Sequence, residues 1–234
     1  VGVDRIIDTF YRPYTQKMWG MEIEQLDPDI LRRLPIRDDL NEYYFPDDPF
    51  QALPENGYTA LIHAILSHPR IEVKLNTPFQ AGMQNEHRHT FNSMPIDEFF
   101  EFKLGRLPYR SIKFHHVDLP VPRLYPVATV NFTHSHPYTR VTEWKNLPGN
   151  PQGIAHTSLT IEEPCADHDN HFERYYPVKD IAGVNKALYQ TYRERVPENM
   201  TFIGRCGQYV YLNMDQAVNA ARTIAQKFIA ANIR

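Results

Sequence analysis

The spacing of apolar residues along this chain predicts four amphipathic helices. In each of them, apolar side chains recur every three or four residues, which places them on one face of a helix. We expect Pro13 to end the first helix, with loop and short helix after it, because proline lacks the amide hydrogen that a helix interior needs. Asn213 or its neighbour is expected to cap the last helix. The four segments are residues 3–12, 57–67, 180–195 and 215–231.

The same spacing predicts which residues of these helices face inward. Only one side of a surface helix packs on the core, so its apolar stripe marks the buried side. The predicted inward residues are Leu61, Ile62, Ile65 and Leu66 in the second helix, Val184, Leu188 and Tyr192 in the third, and Val218, Ala221, Ile224, Ala225, Phe228 and Ile229 in the fourth.

Residues with a preference for strands concentrate in the middle of the chain. Several such segments follow one another without a predicted helix between them, so the sheet they form is expected to be antiparallel. Ahead of them, Ile71, Val73 and Leu75 alternate with other residues, which indicates a further strand. The segments in the middle are 110–115, 126–133, 139–145 and 157–162, and a short strand is predicted at 201–203.

Composition narrows the class of protein without choosing a function. The 234 residues, 42% hydrophobic and 23% charged, are enough to bury a core of ordinary globular character. A net charge of −3 gives no general reason to expect a nucleic-acid partner. No apolar run approaches the roughly 20 residues of a membrane span. Cys165 and Cys206 form no disulfide framework, which fits a cytoplasmic location.

One short segment near the start combines aromatic rings with positive charge. Residues 10–20 read FYRPYTQKMWG. Aromatic faces beside cations suit a ligand with a flat ring and negative charge, such as a nucleotide, because the rings stack and the cations meet phosphate. A hydrophobic core uses the same aromatic residues, so the pattern alone leaves both interpretations open. The aromatic residues are Phe10, Tyr11, Tyr14 and Trp19, and the cations are Arg12 and Lys17.

Histidine pairs occur at three places, and an HxH pair on a strand puts both rings on one face. No third ligand or acidic partner follows at a useful spacing, so no metal site is predicted. The pairs are His87/His89, His115/His116 and His134/His136.

Two strings in this sequence resemble signatures of the UDP-galactopyranose mutases. YTQKMWG at 14–20 resembles the family's YT-x-K-x-WG, and GRCGQYVYLNMD at 204–215 resembles its C-terminal flavin-contacting segment. Further strings lie between them in the order that the family uses. They are LRRLPIR, NEYYF, LPENGYTALI, PIDEFFEFKLGRLPYRSIKF, VNFT, PYTRVTEWK and YYPV.

The resemblance implies an isomerase that interconverts UDP-galactopyranose and UDP-galactofuranose, a precursor for cell-surface polysaccharide, with reduced FAD as cofactor. The ligand would be UDP-galactose or UDP, and a homodimer is conceivable. The family's GxGxxG fingerprint does not occur in the printed sequence. We therefore expect a C-terminal part of a longer protein that is inactive alone. A non-enzymatic UDP-binding fragment is the alternative.

The resemblance also assigns roles to individual residues. Arg110 would either line the cleft or pack under the sheet. Arg33 and Arg140 match catalytic arginines that grip the diphosphate, with a fork of donors that suits phosphate oxygens. The residues matched to substrate are Phe10, Tyr11, Tyr14, Trp19, Tyr44, Asn131, Tyr176 and Tyr211, and those matched to flavin are Arg205, Leu212, Asn213 and Met214.

The fold expected from this resemblance is mixed α/β. It combines part of an FAD-binding α/β domain, an antiparallel substrate sheet and part of a helical domain that carries a mobile loop. Residues 1–50 would belong to the helical domain, 106–178 to the sheet, and 51–105 together with 179–234 to the FAD-binding domain.

Overall fold

The structure, a computed structural model, describes residues 2–28, 39–41, 45–150 and 153–232. It has a mixed α/β fold, as predicted, with one antiparallel sheet, one small parallel sheet and several helices. The predicted site residues Arg33 and Tyr44 lie outside the described residues.

The elements are numbered here in chain order. The helices are α1 (Val3–Ile6), α2 (Arg12–Trp19), α3 (Gly57–Leu66), α4 (Ile96–Phe99), α5 (Val184–Arg193), α6 (Gly204–Gly207) and α7 (Met214–Asn232). The strands are β1 (Thr90–Asn92), β2 (Tyr109–Leu119), β3 (Thr129–Asn131), β4 (Arg140–Glu143), β5 (Thr157–Ala166), β6 (Tyr176–Pro177) and β7 (Met200–Phe202).

Pro13 does not end the first helix, and that prediction is wrong. A π-helical turn, Ile7–Tyr11, joins α1 to α2, and the amide of Arg12 donates to the carbonyl of Ile7. Pro13 therefore lies in the first turn of α2, directly after the π-helical turn, and the helix continues through it. The consequence is that Tyr14 and Trp19 are held on a helix rather than on a loop.

The five-stranded sheet is antiparallel throughout, which confirms the prediction. Its strand order is β3-β4-β5-β2-β6. The longest pairing joins β2 to β5, from Arg110 opposite Ala166 to Leu119 opposite Thr157. On the other side of β5, β4 places Arg140 opposite Glu162, and β3 places Asn131 opposite Arg140.

The small parallel sheet pairs β1 with β7, which lies one residue before the predicted strand. Its neighbours form a core in which Ile96 and Tyr192 are fully buried. Tyr109, at the start of β2, belongs to this same core, so the two sheets share one packed interior. A second core places Trp19, Leu26 and other residues beside β2.

Several predicted apolar positions are exposed instead of buried. Residues 71–75 form no strand, since no strand in the described part of the chain pairs with them, and their apolar side chains are exposed. No residue of α3 is buried, although the helix itself forms as predicted. Periodicity defines one face of an element, but only a packed neighbour buries it. Exposed contrary to prediction are Leu61, Ile62, Ile65, Val184, Val218, Ala225 and Ile229, whereas Tyr192 is buried, and Leu66, Leu188, Ala221, Ile224 and Phe228 are half-buried.

None of the helices that the structure describes has the length and apolar character needed to cross a membrane.

Candidate functional site

Three aromatic rings from distant parts of the chain meet at the edge of the antiparallel sheet. Trp19, at the end of α2, is only 7% exposed. Its ring centroid lies 6.0 Å from that of Tyr176 in β6 and 6.1 Å from that of Tyr211. The rings of Tyr176 and Tyr211 stack with their centroids 5.2 Å apart. The site therefore begins as an aromatic cluster built from α2, β6 and the segment before α7.

Arg205 lies against this cluster and donates hydrogen bonds to two backbone segments beside it. Its guanidinium carbon is 5.1 Å from the ring centroid of Tyr176 and 4.7 Å from that of Tyr211, within the range of a cation–π contact. Its Nε and Nη2 donate to the carbonyl of Leu212 at 3.1 and 2.5 Å, and Nη1 donates to the carbonyl of Tyr175 at 3.1 Å. Arg205 thereby joins the segment before α7 to the segment that leads into β6.

The helix α7 begins directly after Asn213, as predicted. The amide of Ala217 donates to the carbonyl of Asn213 at 2.9 Å, which is the first helical bond. The side chain of Gln216 accepts from the amide of Asn213 at 2.9 Å, which is half of a capping box. The N-terminal end of this 19-residue helix, where its macrodipole is positive, consequently lies next to the Arg205 contact at Leu212.

Arg140 is held across three neighbouring strands. Its Nε donates to Oδ1 of Asn131 at 3.2 Å, and its Nη1 lies 3.6 Å from Oε1 of Glu162. The phenol of Tyr14 on α2 lies close enough to the same guanidinium for each group to shift the pKa of the other. The Arg140 side chain is still 38% exposed, so a ligand can reach it.

The protonation states around Arg140 favour binding of an anion. Burial by itself lowers the pKa of Arg140, but Tyr14 and Glu162 raise it above its ordinary value, and the guanidinium stays charged. Burial raises the pKa of Tyr14 although Arg140 opposes the shift. Burial, followed by the effect of Tyr211, raises the pKa of Tyr176 to about 12. Both phenols are therefore neutral near pH 7 and can donate hydrogen bonds.

The structure brings together most of the described residues that the sequence assigns to the site. These residues come from the beginning, the middle and the end of the chain, and strand pairing and ring contacts connect them. Phe10 lies in the π-helical turn before α2 and is 57% exposed, Tyr11 is half-buried in that turn, and Met214 is 64% exposed. The residues that converge are Tyr14, Trp19, Asn131, Arg140, Tyr176, Arg205, Tyr211 and Leu212.

Lys17, one of the two cations of the aromatic segment, contacts the backbone of a distant part of the chain. Its ammonium donates to the backbone carbonyls of Phe132 at 2.8 Å, His134 at 2.9 Å and Tyr138 at 2.8 Å. An ammonium has three donors, so these bonds use all of them. Arg12, the other cation of the segment, pairs with carboxylates on its own part of the chain.

The side chain of Arg110 contacts the backbone of α2, which favours the packing alternative over the cleft. Its Nε donates to the carbonyl of Met18 at 2.9 Å and its Nη2 to that of Lys17 at 3.0 Å. It thus satisfies carbonyls in the last turn of α2, which have no partners within the helix. Gly20 ends that helix with a φ of +66°.

Glu162 is a site residue that sequence reasoning missed. Its string IEEPCA carries no feature that separates it from an ordinary surface carboxylate. Only its position opposite Arg140 in the sheet shows that it orients the guanidinium. Across the described ranges, no group of three or more His, Cys, Asp and Glu side chains converges where it could hold a metal ion.

Comparison with known proteins shows the family of this chain. The family model described as UDP-galactopyranose mutase matches residues 9–211. The chain therefore belongs to the UDP-galactopyranose mutase family, whose name is that of an isomerase.

Individual relatives are similar over almost all of this chain. It is 33% identical over 232 residues to a probable UDP-galactopyranose mutase of Klebsiella pneumoniae, covering 97% of this chain and 58% of that protein. It is 32% identical over 241 residues to a dTDP-fucopyranose mutase of Escherichia coli, covering 99% of this chain and 62% of that protein. A UDP-galactopyranose mutase of Mycoplasma pneumoniae is 32% identical over 235 residues, with 94% and 58% covered. The chain thus spans about three fifths of the length of these relatives.

Proposed function

We propose that this chain carries the nucleotide-sugar site of a flavin-dependent mutase that interconverts UDP-galactopyranose and UDP-galactofuranose. The observation that carries the proposal is the convergence of a charged Arg140, the neutral phenols of Tyr14 and Tyr176, and the stacked aromatic cluster in one place. A nucleoside diphosphate presents a flat base and two phosphates, which need the same two kinds of partner.

In this proposal the protein holds the diphosphate and stabilises its charge as it departs. Arg140 would face the phosphates, because Asn131 and Glu162 hold its guanidinium while leaving part of it exposed. A donor that is already oriented needs no reorganisation when charge develops, which is the main source of electrostatic catalysis. Arg33 would supply a second guanidinium by the resemblance. Tyr14 would stack on uracil, and Tyr176 and Tyr211 would donate to phosphate oxygens.

The residues near α7 fit one edge of a reduced flavin. The positive guanidinium of Arg205 donates to the backbone carbonyl of Leu212, so this contact does not neutralise its charge. The positive end of the α7 macrodipole lies beside it. This arrangement suits an anionic ring edge. When bound, a reduced flavin would supply the nucleophile for the anomeric carbon while UDP leaves. The task of this chain is to place the sugar and to grip the leaving UDP.

A second candidate is a nucleotide-sugar-binding module that works without flavin. It is favoured by one observation, since those of the side chains proposed for UDP that the structure describes at Tyr14, Arg140, Tyr176 and Tyr211 converge within this chain. In the mutase candidate we assign residues 106–178 to the substrate sheet, and residues 51–105 and 179–234 to the flavin-binding domain. We propose a cytoplasmic location for either candidate, with a homodimer as the assembly to be tested.

Flavin content and ligand binding together test the two candidates. The purified chain is examined for flavin absorbance, titrated with UDP by calorimetry, and incubated with FAD, dithionite and UDP-galactopyranose. We expect UDP to bind with a dissociation constant of roughly 0.1 to 1 mM. The same turnover assay is run on the full-length gene product, because we expect this chain to be inactive alone. Formation of UDP-galactofuranose by either protein selects the mutase, and UDP binding with neither bound flavin nor turnover in both proteins selects the module. No saturable UDP binding contradicts both.

A further inference from the structure

The ammonium of Lys17 connects two parts of the site that are far apart in sequence. Lys17 lies on α2 between Tyr14 and Trp19. Its three acceptors, the carbonyls of Phe132, His134 and Tyr138, lie 115 to 121 residues further along the chain. They belong to the connection between β3 and β4, the strands that carry Asn131 and Arg140.

The connection folds around this ammonium. The amide of Phe132 donates to the carbonyl of Thr139 at 2.8 Å, which closes the loop at its base. Within the closed loop, three carbonyls must point toward one side to meet Lys17. Hydrogen bonds to a charged donor are about twice as strong as neutral ones, so the loop conformation depends on that charge.

A second contact holds the same part of α2 against strand β2. Arg110 of β2 donates to the carbonyls of Lys17 and Met18. The last turn of α2 is therefore attached to the β3–β4 loop through the Lys17 side chain and to β2 through its backbone. These two attachments determine where Tyr14 and Trp19 lie relative to the sheet.

We propose that Lys17 is a positioning residue that sets the placement of Tyr14 and Trp19 against Arg140, and thereby the affinity of the site, without contacting the ligand. This inference rests on the proposed function, in which Tyr14 and Arg140 bind the two ends of a nucleoside diphosphate. Direct binding of phosphate by Lys17 is disfavoured, because its three donors already serve backbone carbonyls.

The chain contains a matched control for this contact. Lys145 also donates to three backbone carbonyls, those of Pro122, Ile154 and His156, and it is nearly buried. Its acceptors lie on loops at the other end of β4 from Arg140. Removing either ammonium removes the same kind of interaction, but only Lys17 connects elements of the site.

The test compares Lys17→Met with Lys145→Met in a Trp144→Phe background, in which Trp19 is the single tryptophan. UDP affinity is measured by calorimetry, the accessibility of Trp19 by iodide quenching, and stability by urea unfolding. We expect both substitutions to lower stability. Only Lys17→Met should weaken UDP binding, about tenfold, and make Trp19 more accessible to iodide.

A third variant separates position from charge. Lys17→Arg keeps the positive charge, but a planar fork cannot meet three converging carbonyls as an ammonium does. We expect Lys17→Arg to remain weak in UDP binding. Full recovery by Arg, or equal UDP affinity in Lys17→Met and Lys145→Met, overturns the proposal. If Lys17→Met does not fold, Lys17→Gln, which retains two donors, is measured in the same way.

Failure of the proposed function gives a different result. If the unsubstituted chain does not bind UDP, the nucleotide site is contradicted whatever Lys17 does. The placement of Trp19 is then judged by quenching alone, and an equally shielded Trp19 in Lys17→Met and in the unsubstituted chain overturns the positioning role as well.

Discussion

The rings of Tyr176 and Tyr211 lie almost parallel, with an 8° angle between their planes and 5.2 Å between their centroids. The Trp19 ring contacts both rings in a tilted arrangement, and the Arg205 guanidinium also contacts both. The pair thus joins a strand of the antiparallel sheet to the segment before α7. A change to either ring should affect both the proposed substrate side and the proposed flavin side of the site.

Two substitutions of Tyr176 should separate its ring from its hydroxyl. Tyr176→Phe keeps the stack with Tyr211 and should leave stability nearly unchanged, while UDP affinity falls by about 1 kcal/mol from one lost hydrogen bond. Tyr176→Leu should also lower stability by about 1 kcal/mol, because the aromatic pair is lost. Urea unfolding and calorimetry measure the two effects. Unchanged UDP affinity in Tyr176→Phe would remove its hydroxyl from the proposed site.

Arg140→Ala should abolish most binding of the diphosphate. A guanidinium that contacts the phosphates while charge develops on the leaving UDP stabilises the transition state by on the order of 3 kcal/mol. Without it, turnover of a flavin-loaded enzyme should fall accordingly. The flavin should stay bound, because Arg140 is held by Asn131 and Glu162 in the sheet, whereas Arg205 and Leu212 form our proposed flavin edge. By resemblance the same result is expected for Arg33→Ala.

The control for Arg140 is Arg88→Ala, because Arg88 is exposed and donates to the carbonyl of Asn232, away from the site. UDP titration and flavin absorbance are measured on each variant. An Arg140→Ala protein that keeps most of its UDP affinity, or that loses flavin instead, would contradict the role assigned to Arg140.

Gly20→Ala should destabilise the end of α2 for two reasons. Its φ of +66° is strained for any residue with a Cβ, which costs about 1 kcal/mol or more. The new Cβ would also lie 2.9 Å from Nη1 of Arg110. Gly57→Ala is the matched control, because its φ of +77° is similar but no atom lies within 4 Å of the added Cβ. Urea unfolding should show the larger loss for Gly20→Ala, and equal losses would mean that Arg110 moves away without cost.

Stability should fall in acid through Glu143, which is fully buried. Burial alone would raise the pKa of its carboxyl, but hydrogen bonds from Thr157 and from the amides of Tyr125 and Leu124 hold that pKa below its ordinary value. The ionised form therefore stabilises the fold above the unfolded pKa of about 4.3, and this contribution is lost as pH falls through the lower folded pKa.

Glu143→Gln should lower stability near pH 7 by about 1 to 3 kcal/mol and flatten the loss of stability below about pH 4, because the amide cannot titrate and presents fewer acceptors. Thermal unfolding across pH measures both effects. The exposed Glu55→Gln serves as the control. An acid profile of Glu143→Gln that matches the unsubstituted chain would show that other carboxylates control acid unfolding.

Local pattern and tertiary contact contributed different parts of the site. Arg140 and Tyr176 could be named from short strings, since a family signature is a property of neighbouring residues. Glu162 could not, because its role comes from its register opposite Arg140. The sequence shows Lys17 only as a cation among aromatic residues, and the structure gives it three carbonyls more than 100 residues away.

The sequence by itself determined the family, the antiparallel sheet and the position of most helices. These features depend on short motifs and on the spacing of apolar residues that lie close together in the sequence. The tertiary structure alone decided that α2 continues through Pro13, that residues 71–75 form no strand, and that β1 pairs in parallel with β7. The physical reason is that a strand needs a hydrogen-bonded neighbour and a buried face needs a packed one. Which segments become neighbours is decided by the whole fold.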